Sequence, residues 1–164
     1  MAKQLVSLDD LFEKELQDLY SAETQLVQAL PLMAQKAQDQ RLRQGIEQHL
    51  TETQDQVARL EKIGQDLEIN LSGHTCKAMQ GLIAEGQETM SEDASPEVMD
   101  AALIAAQQRI EHYEISGYGT AANFAERLGH TDAMKLLQET LGQEQHADTM
   151  LNDLAKSYIN EKAI

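Results

Sequence analysis

Apolar residues recur at steps of three and four along four long stretches of the chain. The first begins at Ser7-Leu8-Asp9-Asp10, which reads as a helix cap with an acidic first turn. It continues through Phe12, Leu16, Leu19, Leu26, Leu30, Met33 and Ala37, the spacing of one helical face. This predicts a helix over 8–38, bent near Pro31. Ile46, Leu50, Val57, Leu60, Ile63 and Leu67 repeat the pattern and predict a second helix over 41–67, running out toward Asn70 and Gly73. Ser95-Pro96-Glu97 sets a cap, a first-position proline and an acid together, so a third helix is expected over 96–128, stopped by Gly129. Thr131-Asp132 caps a fourth, over 132–158. Between the second and third helices, the segment Thr75 to Glu85 reads as a short helix of its own, over about 75–90. Two short connections make antiparallel hairpins, and the long one can cross the length of the molecule. The expected architecture is all-α: an antiparallel four-helix bundle in one domain, 1–164, whose single long crossover carries a short extra helix.

Composition narrows the function classes. The 164 residues include 28 acidic and 13 basic side chains, a formal net charge of -15, and only 4 % of the chain is aromatic. So few aromatic residues argue against a β-sandwich. A surface this acidic would repel nucleic acid and anionic lipid, leaving cations and neutral partners. Cys76 is the single cysteine, so no intramolecular disulfide and no paired-cysteine zinc site is expected, which fits a reducing, cytoplasmic setting. The run Met1-Ala2-Lys3-Gln4-Leu5-Val6 lacks the apolar stretch of a signal peptide. The longest apolar run, Ala101 to Ala106, is too short to span a bilayer.

Several acids fall on the apolar seams rather than opposite them. Glu23 stands in the series Phe12, Leu16, Leu19, Glu23, Leu26, Leu30. At about 100° per residue, Glu114 lies within the stripe of Leu103, Ile110, Ala121 and Leu128. Glu144 and Asp148 lie within that of Leu137, Leu141, Leu151 and Ala155. The second helix offers His49 well inside its stripe and Glu52 at the margin. Glu23 to Glu52 is 29 residues and Glu114 to Glu144 is 30, so the two hairpins place their acids nearly alike, as in a pseudo-two-fold site. Buried uncompensated charges cost several kcal/mol each. Protons, basic residues or metal cations must neutralise them, and no Lys or Arg falls mid-seam. Two divalent cations would match four glutamates, and bundle cores hold metal pairs with such acids. Individually the acids have plainer explanations: a seam glutamate can snorkel or keep its proton, Glu52 can pair with Arg59 at the surface, and His49 can be a satisfied core histidine. Glu111, one turn before Glu114, reads equally as an extra ligand or a flank acid. His112 and His146 point away from the stripes, and His74 and His130 sit in connections.

The segments Asp18-Leu19-Tyr20-Ser21-Ala22-Glu23, His49-Leu50-Thr51-Glu52-Thr53, Cys76-Lys77-Ala78-Met79, Ile110 to Ile115 with Tyr118-Gly119-Thr120, and Glu139-Thr140-Leu141 followed by Glu144 and Asp148 resemble the YciF and YciE family of bacterial stress-linked ferritin-like proteins. The likeness covers nearly the whole chain. It implies a ferritin-like (rubrerythrin-like) bundle, a di-metal centre, a homodimer and a role in stress response. The broader ferritin-like pattern places Glu-x-x-His on the second and fourth helices, whereas Asp55 and Ala147 stand three residues after Glu52 and Glu144. An oxygen-rich set of this kind accepts hard cations permissively: iron foremost, with manganese, magnesium or zinc also compatible. The expected roles are Glu23 and Glu114 as terminal ligands and Glu52 and Glu144 as bridges, with His49, Glu111 or Asp148 completing the site. Two functions follow from this set. One is a di-iron protein that takes up Fe(II) and consumes oxygen or peroxide. The other is a non-enzymatic stress-response bundle, working as a dimeric or partner-binding scaffold with its acids protonated or water-filled.

Overall fold

The computed structural model describes residues 5–164; the expectation drawn from the run that begins at Met1 lies, for Met1 to Gln4, outside the described residues. Helix α1 (Leu8–Lys36) opens on the expected cap. The Asp10 N–H donates to Ser7 Oγ at 3.1 Å, and Asp10 Oδ2 accepts the Ser7 N–H in return, satisfying two donors at the helix start. The helix continues through Pro31 and ends at Lys36, two residues before the predicted 38, because Ala37 turns extended. Helix α2 (Gln40–Asp66) follows at once, its first N–H groups donating to Asp39 Oδ1.

The crossover holds α3 (Lys77–Ser91), whose cap is Cys76: its sulfur accepts the Met79 N–H. Ser21 Oγ accepts the Cys76 N–H at 2.9 Å, and Gln25 donates to the Cys76 carbonyl at 3.1 Å, so the start of α3 is tied to α1. Helix α4 (Pro96–Leu128) begins behind Ser95 and ends at Gly129, whose φ of +79° is the left-handed geometry that favours glycine. Helix α5 (Thr131–Leu154) is capped by His130 rather than by the expected Thr131-Asp132, and without a side-chain bond. It runs into a wide π-helical turn, Ala155–Ile159, and a last turn, α6 (Asn160–Lys162), which extend the predicted end at 158.

Helix α1 packs along α2 and α4 along α5. The hairpins close face to face, α1 on α4 and α2 on α5, while α3 lies against α4 and α1. The result is a ferritin-like bundle with one long crossover, as expected. Its apolar interior is divided. One cluster holds Leu26, Leu30, Ile46, Leu103 and Leu151; the other holds Phe12, Leu16, Leu60, Ile63 and Leu137. Between them each long helix turns a polar residue inward. Near this level α1 and α4 approach so closely that a Cβ at Gly117 would lie 2.8 Å from Leu19 Cδ2. Among the described residues, no helix is long and apolar enough to cross a membrane.

The hairpin turn between α1 and α2 is held from across the bundle. Asp100 of α4 is buried, and its two oxygens accept the N–H groups of Gln38 and Asp39, each at 2.8 Å. Asp100→Ala leaves both donors without a partner and is expected to cost about 2–4 kcal/mol. Urea denaturation of the two proteins measures it.

Candidate metal centre

Four helices meet at the polar layer. Glu23 comes from α1, His49, Thr53 and Gln56 from α2, Gln107, Glu111 and Glu114 from α4, and Thr140 and Glu144 from α5. The four glutamates are 0 % exposed and His49 is 2 % exposed. His49 Nε2 lies 3.4 Å from Glu111 Oε1, 3.9 Å from Glu144 Oε2 and 4.0 Å from Glu114 Oε2. One donor atom from each of these four residues lies within 4.8 Å of the other three. A metal with ligands at about 2.1 Å spans donors up to about 4.2 Å apart, so the set is close to the size one ion requires.

The hydrogen bonds divide the carboxylate oxygens into held and free. Gln107 donates to Glu111 Oε1 at 3.1 Å, Gln56 donates to Glu144 Oε1, and the Tyr118 hydroxyl donates to Glu23 Oε1. Apart from carboxyl–carboxyl contacts, Glu23 with Glu114 and Glu111 with Glu144, the second oxygen of each has no hydrogen-bond partner, nor has either oxygen of Glu114 or either ring nitrogen of His49. Buried polar atoms are nearly always paired. Five oxygens and an imidazole without a partner outside the layer make a donor set that fits a hard divalent ion. Arg59 stands at the edge. It donates to Gln143 at 2.7 Å and Glu139 at 2.8 Å, and Gln143 in turn accepts from Gln56.

Burial governs the protonation of the layer. It raises Glu23 to about 8, with the charge of Glu144 adding to it, and raises Glu144 to about 7. Glu111 and Glu114 are pushed well above the ordinary carboxylate range, again by burial first and then by their acidic neighbours. Burial lowers His49 to about 4, so its imidazole is neutral at pH 7. A neutral imidazole is the form that binds a metal.

Of the residues anticipated from the sequence, Glu23, His49, Glu111, Glu114 and Glu144 come together. Glu52 does not join them: it is half-buried and accepts from Gln48 on its own helix at 3.1 Å. The repeat that suggested it is out by one residue. Adding the 30 residues that separate Glu114 from Glu144 to position 23 gives Thr53, which is fully buried, and one residue is about 100° of rotation. Asp148 is half-buried too, facing Gln108 at 3.0 Å and the exposed His112 at 3.3 Å. Arg59 pairs with Glu139, not with Glu52. Sequence reasoning did not find Gln107 or the hydrogen bond of Tyr118 to Glu23. A glutamine on the inner stripe four residues before Glu111 was the available signal. It also missed a chain at the crossover: His74 Nε2 lies 2.8 Å from Asp18 Oδ1, the Tyr113 hydroxyl donates to Asp18 Oδ2, and Cys76 Sγ lies 3.1 Å from that hydroxyl.

Fold and site together define a ferritin-like helical bundle whose core carries a buried glutamate and histidine cluster able to hold a metal ion. The chain belongs to the family described as Domain of unknown function (DUF892), whose model matches residues 7–164. It is 43 % identical over 158 residues to Protein YciF of Escherichia coli (strain K12), covering 96 % of this chain and 95 % of that one. The crystal structure of the E. coli stress protein YciF superposes with a TM-score of 0.92 at 42 % identity, over 95 % of this chain and 99 % of that chain. YcfI from Rhodopseudomonas palustris gives 0.89 at 42 % identity, over 93 % and 97 % of the two chains. A Xanthomonas campestris protein at 20 % identity and a TM-score of 0.74, over 93 % and 94 %, shares the fold.

The layer sets a pH dependence. Each glutamate binds its proton more tightly folded than unfolded, so its contribution to stability is complete below about pH 4.5 and is lost as pH rises, through about 7 for Glu144 and about 8 for Glu23. His49 works oppositely, but only between its folded value of about 4 and its ordinary 6.5. Chelator-treated protein should therefore lose stability steadily from pH 6.5 to 8, read as a falling urea midpoint.

Proposed function

We propose that this protein is a ferritin-like metal protein of the stress response. It binds divalent cations, iron foremost, in the layer formed by Glu23, His49, Glu111, Glu114 and Glu144. The observation that carries the reading is the buried group of His49, Glu111, Glu114 and Glu144, whose donor atoms lie within 4.8 Å of one another and find no partner outside the layer beyond the Gln56 and Gln107 amides. Similarity to a protein described as a stress protein supports the biological setting. Bound iron would supply one-electron chemistry with oxygen or peroxide. The residues of the chain do the rest. The glutamates release their protons as a cation enters, and neutral His49 offers a ring nitrogen. Gln56, Gln107 and Tyr118 fix one oxygen of three carboxylates and so aim the other, and the two flanking apolar clusters keep bulk water from the layer. A homodimer belongs to the same proposal. Sedimentation equilibrium tests it against the 18.3 kDa of one chain.

One observation favours the scaffold reading: burial raises all four glutamates, so protons alone can neutralise the layer. Melting separates the two. A ligand bound only by the folded state raises the melting temperature, so anaerobic Fe(II) or Mn(II) should raise it for the wild type, with metal retained after gel filtration. Glu114→Gln should melt higher than wild type in chelator at pH 8, because a carboxyl that is costly to ionise is gone, yet should show little or no metal-induced rise. Equal melting temperatures with and without metal, and no retained metal, would leave the scaffold.

A further inference from the structure

The polar layer is closed on its two flanks by different means. On the side of α1 and α4 the crossover lies over the seam, and its backbone is fastened there. Ser21 Oγ accepts the Cys76 N–H at 2.9 Å, Gln25 donates to the Cys76 carbonyl at 3.1 Å, and Asp18 holds both His74 and the Tyr113 hydroxyl. Ser21 and Gln25 stand two residues either side of Glu23, and Tyr113 precedes Glu114, so this closure falls at the level of the acids. It is built of main chain, and a cation could pass it only if the start of α3 came away.

The seam between α2 and α5 has no helix laid over it among the described residues. Side chains close it instead. Arg59 of α2 donates to Glu139 at 2.8 Å, to Gln143 at 2.7 Å and to Thr140 at 3.3 Å, all three on α5. Gln143 Oε1 also accepts from Gln56 at 3.2 Å, and Gln56 donates to Glu144. A line of contacts thus runs inward from solvent, where the Glu139 side chain is 57 % exposed, through Arg59 at 16 % to the buried carboxyl of Glu144. Two oxygen donors stand beside this line. Gln56 Oε1 is buried and has no hydrogen-bond partner. One turn earlier on α2, the half-buried Glu52 carries a charge that reaches Glu144. Arg59 opposes them: its charge is felt at Glu144 and at Glu23, and a like charge repels a dication strongly where water is scarce. Its outer anchor is loose, since an ion pair to so exposed a partner contributes little.

Resting on the metal-binding reading, we infer that cations enter the layer through the α2–α5 seam and that Arg59 is the gate of that route. With its guanidinium across Glu139, Gln143 and Thr140, the seam is shut by bulk and by charge together. Turning the guanidinium out to solvent breaks no backbone contact and releases Gln143 and Gln56. A cation drawn to Glu52 then passes by way of Gln56 Oε1 to Glu144. The gate governs how fast the layer fills and empties.

Co(II), an oxygen-stable divalent probe, tests this with the full-length protein: stopped-flow absorption reads loading, and excess EDTA then reads release. Arg59→Met keeps the apolar stem and removes the charge and the donors. It should load about tenfold faster or more, and should also release about threefold faster or more. The release rate discriminates, because an arginine that only adjusted the charge of the layer would, once removed, leave the cation held longer. Glu139→Gln loosens the outer anchor alone and should quicken both rates about threefold; it decides the matter should Arg59→Met fold poorly by circular dichroism. Glu52→Gln should slow loading about threefold, with a weaker salt dependence than wild type. Ser21→Ala, which removes one fastening of the crossover, should leave both rates within about twofold. Unchanged rates in Arg59→Met and Glu139→Gln, slower release in Arg59→Met, unchanged loading in Glu52→Gln, or markedly faster loading in Ser21→Ala would each overturn the gate while leaving metal binding intact. No Co(II) bound by the wild type would instead overturn the metal reading from which it starts.

Discussion

Four carboxyl groups and an imidazole share one buried layer halfway along the bundle, and any folded state of the chain must neutralise them there. An ionised, unpaired carboxylate in such a place costs several kcal/mol, and whole domains are stable by only about 5–15 kcal/mol. The layer is therefore protonated, metal-bound or both in turn, and it cannot be a passive gap in the core. Its flanks show how the fold tolerates it. The apolar interior splits into two clusters, each built from residues of all four long helices. The polar layer thus interrupts the core without supplying its stability.

What keeps the layer in order is a set of fixed helix positions. The Ser7 cap and the Asp39 cap set where α1 and α2 begin, Ser95 and Gly129 delimit α4, and Asp100 pins the first hairpin turn from the opposite hairpin. Helical register converts these end points into orientation. Each residue of slip is about 100° of rotation and about 1.5 Å of rise, so a shift of one residue would carry Glu23 or Glu144 out of the layer. Within it, Gln56, Gln107 and Tyr118 orient three carboxylates, and the outer contacts of Arg59 and Gln143 hold Gln56 in turn. The cluster departs from the broader ferritin-like arrangement in having no histidine three residues after its inward acids. His49 reaches the site from the other side of Thr53.

Much of the site was legible because interior acids on a helix break a simple rule. Glu23, Glu114 and Glu144 stand at positions where the stripe demands an apolar residue, and His49 stands inside the stripe of α2. Glu52 stands outside the buried group, though its charge still reaches Glu144, because it sits at the stripe margin, where periodicity cannot choose between inward and outward. The repeat of 29 against 30 residues was close enough to suggest it and one residue too short to deliver it. Asp148 stands outside the group for a different reason. It lies one turn beyond Glu144, about 6 Å along the axis, and there the neighbours are Gln108 and His112 rather than the other acids.

The sequence by itself determined the number and order of the long helices, their ends to within a few residues, the long crossover, and three of the four glutamates that would have to be neutralised, because caps and periodicity are local properties of a chain. Only the tertiary structure decided which atoms face one another. Periodicity defines a face but not its opposite. The closeness of His49 to Glu111, the approach of Glu114 to Glu23, the tether of Tyr118 to Glu23 and the network that docks Cys76 and His74 on Asp18 all join residues more than thirty positions apart. Those distances are set by how closely two hairpins can pack, and no single helix carries that information.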